Sequence, residues 1–310
     1  MTARFDSRGP SAYDRGMQTL PLHTQHERRF SANRFVYPVL SRRSGGVSVG
    51  VNLNPDKVCN FDCVYCQVDR TSRSETRFVE TDQLLTELSD VLRIVASGDL
   101  YKTPKFANTP EPLRRLNDIA FSGDGEPTTY KNFDELMQLA ADVKREVGAE
   151  FAAARDAKMV LITNASMFHR THVQSGLAIL DANNGEVWAK LDAGTEAYYH
   201  TIDRTKIPFQ QVLDNVASAS RVRPLVIQSL FMRLAGDPPT TEEIDAYCDR
   251  LNETTATGGA IKLVQVYTVA RKPAESIVGA LTDEEVDAIR DRVRRRTGLR
   301  AESFYGTSGY

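Results

Sequence analysis

Three of the chain's four cysteines, Cys59, Cys63 and Cys66, stand within eight consecutive positions of the stretch NPDKVCNFDCVYCQVDR, while Cys248 lies far downstream. Four cysteines in 310 residues do not make a disulfide scaffold, and thiols this close together point to metal or redox chemistry. Structural zinc takes four protein ligands, and the loop contains no histidine, so a site of three cysteines and one histidine would recruit His23 or His26 from upstream. A [4Fe-4S] cluster held by three thiolates has a different logic: one iron keeps no protein ligand and can bind a substrate or cofactor directly.

A second stretch able to do chemistry is FSGDGEPT, residues 121–128. Gly123 and Gly125 let the backbone approach a ligand closely, and Asp124 and Glu126 each offer a carboxylate that complements an ammonium group. Polar residues also close later β-rich runs: Asn164 after KMVLIT, Lys190 and Asp192 in EVWAKLD, Gln228 in PLVIQSLF, and Arg271 just past AIKLVQVYT. Each of these reads equally well as a helix cap or a buried hydrogen-bond partner. Cys248, in DAYCDRL, reads as a structural thiol on a helix face.

An alternation of strands and helices must position these residues. Short β-rich runs occupy 46–53, 118–122, 158–163, 186–192, 224–231 and 260–268, and segments of helical spacing occupy 81–97, 133–154, 170–181, 208–220 and 240–254. Thr81 and Thr240 read as N-caps, and a last helix at 282–297 starts acidic and ends basic, as the helix dipole favours. Six consecutive βα units with right-handed crossovers curl into an open or partial barrel, whose ligand site lies where the C-terminal strand ends meet their loops. The expected fold class is therefore α/β, a partial (β/α)6 barrel with an irregular N-terminal extension and a C-terminal helix. The expected divisions are an Arg-rich extension over 1–45, the barrel over 46–270 and a C-terminal extension over 271–310. The long connection at 98–117 reads as a lid, a binding loop or a disordered segment.

A net charge of -2 gives no general attraction to nucleic acid or anionic lipid. No apolar run approaches the roughly 18 residues of a membrane span, and the first residues lack the apolar core of a secretory signal. A cytoplasmic protein with no membrane association is expected.

The set Cys59-x3-Cys63-x2-Cys66, with the aromatic Tyr65 before its last cysteine, resembles the signature of the radical S-adenosylmethionine superfamily. The resemblance implies a six-unit partial barrel with this loop after its first strand, a [4Fe-4S] cluster on the three cysteines, and S-adenosylmethionine chelated by the open iron. It further implies reductive cleavage of that cofactor and hydrogen abstraction from a substrate by the 5'-deoxyadenosyl radical. FSGDGEPT resembles the family element that binds the cofactor's amino group, which implies cofactor contacts from Gly123, Asp124, Gly125 and Glu126. By the same analogy Tyr65, Asn164, Asp192 and Gln228 are cofactor candidates, and Lys190 and Arg271 are candidates for a carboxylate or the substrate. SGDGEPT, ITNAS, WAKLDAGT and VQVYTVAR resemble a stand-alone group related to the wyosine-type tRNA-modifying enzymes. Those enzymes carry a second cluster on additional N-terminal cysteines, whereas the first 58 residues here contain none. The implied partners are an electron donor such as flavodoxin or ferredoxin and a substrate that is a small molecule or tRNA. A zinc-stabilised binding protein is the alternative from another class.

Overall fold

Aliphatic runs bounded by turn residues pair into one sheet, and the amphipathic segments between them return the chain to the same sheet end each time, which makes the pairing parallel. The computed structural model describes residues 30–306 apart from 71, 73, 75, 272 and 274. The first 29 residues of the Arg-rich extension, with His23 and His26, lie outside the described residues. In chain order the elements are β1 (Val36–Ser41), β2 (Gly46–Val51), α1 (Thr81–Ala96), β3 (Leu116–Phe121), α2 (Phe133–Glu150), α3 (Ala152–Asp156), β4 (Lys158–Thr163), α4 (Thr171–Ala182), β5 (Gly185–Lys190), α5 (Glu196–Asp203), α6 (Phe209–Val222), β6 (Leu225–Leu230), β7 (Arg233–Leu234), α7 (Thr241–Ala256), β8 (Ile261–Tyr267), β9 (Val278–Gly279), α8 (Asp283–Thr297) and β10 (Ala301–Phe304).

Eight strands form one curled, half-barrel sheet in the order β1-β2-β3-β4-β5-β6-β8-β10, while β7 and β9 form a separate antiparallel pair. The pairings from β2 to β10 are parallel, and β1 runs antiparallel to β2. The six expected strands are present, and the sheet gains an edge strand at each end. Strand pleating sorts the side chains: along β4, Met159 and Leu161 join the large core beneath the helices, whereas Val160 and Ile162 cluster with Trp188, Val226 and Leu263 on the barrel's inner face.

Part of the stretch expected to be irregular is therefore a strand. It is pinned by Glu87 of α1, whose buried carboxylate accepts from the backbone N–H groups of Arg34 (3.0 Å), Phe35 (2.8 Å) and Val36 (3.0 Å). The expected cap at Thr81 is not formed. Glu80 takes the N-cap position without a side-chain bond, and Thr81 begins the helix. The expected helix over 133–154 divides at Phe151, whose extended backbone (φ -124, ψ 111) ends α2 and precedes α3. Thr240 does cap α7, and Thr282 with Glu285 forms a capping box on α8. The connection at 98–117 contains two short 3-10 turns and buries Leu100, Phe106 and Leu113, so it packs on the body of the protein. Among the described residues no helix is long and apolar enough to cross a membrane.

Candidate active site

The cysteine loop follows β2 and has no regular structure of its own, so neighbouring elements must hold it. Burial of Phe61, Val64 and Tyr65 anchors it from within. Its backbone is tied to the end of α5: Asp62 N donates to Asp203 O (3.1 Å) and Val64 N to Ile202 O (2.8 Å). Just beyond that helix, Thr205 Oγ1 donates to Asn60 O and Arg204 Nε to Asp62 O, both at 2.8 Å. Phe61 packs edge-on against Tyr199 of the same helix, ring centroids 5.9 Å apart. Helix α5 is an element that the strand and helix periodicity did not show. At eight residues it is too short for a clear period, and its one local signal is Thr195, whose hydroxyl accepts from Tyr198 N, followed by Glu196 in the first turn.

Cys59, Cys63 and Cys66 line one cavity of about 190 Å³ together with the turn Gly123–Glu126, Thr163, Asn164, Lys190 and Asp192. The structure thus brings Tyr65, Gly123, Asp124, Gly125, Glu126, Asn164 and Asp192 to the thiols, as well as Lys190. It does not bring Gln228 or Arg271 there. Both line the barrel lumen, where Gln228 Nε2 donates to Gln265 Oε1 at 3.0 Å.

The glycine turn is packed straight onto the cysteine loop. A Cβ on Gly125 would stand 1.9 Å from Val58 O, and one on Gly123 would stand 2.2 Å from Asn52 Oδ1. Asn52, at the end of β2, holds the turn by donating from Nδ2 to Asp124 Oδ2 (2.7 Å) and accepting at Oδ1 from Asp124 N (3.1 Å). Glu126 is 3% exposed. Its Oε1 accepts from Thr128 N (3.1 Å), Thr128 Oγ1 (2.6 Å) and Thr163 Oγ1 (2.5 Å), and its Oε2 from Asn164 N (2.8 Å). Burial raises its pKa, and these donors work against the rise. Asn164 in turn donates from Nδ2 to Asn60 Oδ1 in the cysteine loop (2.8 Å).

The thiols sit where negative charge is unwelcome. Burial raises Cys59, with Glu126 adding to the effect, and burial raises Cys63 well above the ordinary thiol value, with Asp203 adding to it. Cys63 donates to Asp203 Oδ1 (3.2 Å), and burial together with the Asp192 carboxylate pushes Asp203 up to about 7. Cations lie near them: Arg70 Nη2 is 3.6 Å from Cys66 Sγ, its buried Nε having no partner among the described residues, and the Lys190 charge works against the rise at Cys63. Three thiolates in such surroundings need a cationic centre to ionise them. Among the described residues no three His, Cys, Asp or Glu side chains are gathered so as to hold one metal ion. Thiolates on a single tetrahedral zinc would stand about 4 Å apart.

A second network forms the opposite wall. Tyr65 Oη donates to Asp192 Oδ2 (2.5 Å) and lies 3.4 Å from Asp203 Oδ1, while Asp192 Oδ1 accepts from Leu230 N (2.7 Å). Lys190 Nζ is 3.1 Å from Asp192 Oδ2 and 2.8 Å from Tyr267 Oη. Burial pulls the Lys190 pKa down, but Asp192 and Tyr267 more than reverse this, so the ammonium stays charged. Asp203, Asn52, Asn60 and Arg70 are site residues that the sequence reading missed. Asn60 and Arg70 sit beside the cysteines, but their roles depend on partners supplied by other elements. Cys248 is wholly buried in α7, where burial pushes it up to about 11, as suits a structural thiol.

Residues 53–251 match the family model described as the Radical SAM superfamily. A protein named GTPase Obg from Brachyspira hyodysenteriae is 26% identical over 264 residues, covering 84% of this chain and 33% of that protein. A UPF0026 protein of Methanocaldococcus jannaschii is 28% identical over 172 residues, covering 54% of this chain and 43% of that one. The chain thus spans less than half the length of these two relatives. Among solved structures, a radical SAM methyltransferase from Sphaerobacter thermophilus aligns with a TM-score of 0.58 at 14% identity, over 86% of this chain and 68% of that chain. Archaeal TYW1 aligns with a TM-score of 0.47 at 12% identity, over 82% and 73%. The methyltransferase likeness speaks for the architecture. The family match runs through the cysteine loop, the glycine turn and strands β3 to β6, so the chain belongs to the radical SAM superfamily and is an enzyme of that class.

Proposed function

We propose that Cys59, Cys63 and Cys66 ligate a [4Fe-4S] cluster and that S-adenosylmethionine binds beside it against the turn Gly123–Glu126. The observation that carries this reading is the convergence, on one cavity at the strand ends, of three thiols and a backbone turn with no room for a side chain. Bound there, cluster and cofactor supply one-electron cleavage of a sulfonium and hydrogen abstraction from a substrate carbon.

The chain's own part is to hold, orient and shield. Three thiolates leave one iron open, which gives the cofactor's amino-acid end a place to bind. Asp124 and Glu126 present carboxylates for its ammonium group, and Glu126 is fixed by four donors before any ligand arrives. Tyr65, held through Asp192, keeps its buried ring as a fixed wall of the site. The electron comes from outside, from a donor of the flavodoxin or ferredoxin kind. In this reading residues 46–270 are the catalytic core, and the flanks at 1–45 and 271–310 each lend it an edge strand.

Anaerobic reconstitution with iron and sulfide is the test. The expected product is a brown protein holding about four irons per chain that releases 5'-deoxyadenosine on addition of dithionite and S-adenosylmethionine. A colourless protein holding one zinc, inert toward the cofactor, would overturn the reading in favour of a zinc-stabilised binding protein.

A further inference from the structure

Next to the cysteine-lined cavity the barrel encloses a second one of about 350 Å³, and Tyr65, Cys66 and Lys190 line both. This volume suits a molecule of metabolite size. The turn after β1 contributes Arg42 and Arg43 to its lining. The Arg43 guanidinium lies over the rings of Trp188 (5.7 Å to the centroid) and Tyr267 (5.0 Å). Stacking uses the flat faces of a guanidinium and leaves its N–H rim free to donate. Among the described residues no acceptor takes any of those N–H groups. Arg42 donates from Nη1 to a neutral partner, Tyr305 O (2.5 Å), and burial together with the Arg43 charge lowers its pKa to about 10.

Other charged groups near the lumen have partners within the chain, Arg271 among them. Lys190 faces Asp192, Glu186 faces Lys158 (3.0 Å) and Lys262, and Asp118 accepts from Ser48 and lies within reach of Lys158. Two neighbouring guanidiniums line one lumen, and neither is paired with a carboxylate among the described residues, so an anionic ligand would complement their charge. Their forks match the oxygen pair of a carboxylate or phosphate.

We propose that the substrate is a small anion whose carboxylate or phosphate is gripped by Arg42 and Arg43, with its remainder extending past Trp188 toward Lys190 and the thiols. The role of this anion as substrate rests on the radical-enzyme reading; its binding does not. Trp188 is the chain's single tryptophan, so its emission reports on the lumen. The full chain, without iron, is titrated with pyrophosphate, with malonate, and with chloride as the ionic-strength control. Pyrophosphate or malonate is expected to change the emission saturably, at concentrations about tenfold or more below any effect of chloride, and the better of the two tells phosphate from carboxylate. Arg43→Met is expected to weaken that midpoint about tenfold or more, and Arg43→Lys to weaken it less. The proposal falls if neither anion outperforms chloride, if Arg43→Met binds as wild type does, or if only tRNA changes the emission. Anion binding without iron uptake would remove the radical reading alone, whereas 5'-deoxyadenosine release without anion binding would remove the substrate class alone.

Discussion

Gly125 shows how much of the site depends on a missing side chain. The atom nearest to an added Cβ is a main-chain oxygen of the cysteine loop, which cannot rotate away, so Gly125→Ala must push loop and turn apart. The expected loss of stability is about 1–3 kcal/mol. Because the displaced loop carries the thiols, release of 5'-deoxyadenosine by the reconstituted enzyme should fall about tenfold or more. A thermal melt and a product assay check the two together, and an unchanged assay would show that loop and turn need not touch. At this scale the cysteines and the GDGE turn were legible because their chemistry is written in adjacent letters. Asp203 was not, since its partners Cys63 and Tyr65 lie far away in sequence and only the docking of α5 introduces them.

Among the elements, β1 depends on a single side chain more than its sequence shows. VYPVLS, with a proline inside it, does not read as a strand, yet Pro38 is tolerated because β1 is an edge and Glu87 satisfies the backbone just ahead of it. Glu87→Ala would leave three N–H groups at the start of β1 without their acceptor. It is expected to cost about 3 kcal/mol or more, seen as a lower denaturation midpoint and early exchange of the amides of Phe35 and Val36. Glu87→Gln should lose much less, because its carbonyl oxygen still accepts. Helix starts were legible where a threonine was followed three residues later by glutamate, at Thr240 and Thr282, and illegible at Thr81, where no such partner follows and burial of Leu84, Leu88 and Leu92 is enough to set the helix.

For the molecule as a whole, the repeat of strand and helix announced a curled parallel sheet, while the contents of its interior could not be read until the pleat assigned each residue a side. Asp118 is one result, an acid on the inner face whose pKa burial pushes up to about 6 against hydrogen bonds from Ser48 and Ser44. In the unfolded chain it titrates near 3.8, so ionising it penalises the folded state. The penalty grows as pH rises from about 4 to about 6 and is complete above that, on the order of 3 kcal/mol. Asp118→Asn should therefore raise the melting temperature over wild type at pH 8 and do so less at pH 4, and a gap independent of pH would contradict this. Among the described residues the sheet around this interior does not close on itself. The sheet ends in β1 and β10, and Arg42 reaches from the turn after the first to a carbonyl just past the second. That contact is a latch between the two edges of the sheet. Reshaping that latch would admit guests of different bulk while leaving the thiol-bearing rim untouched.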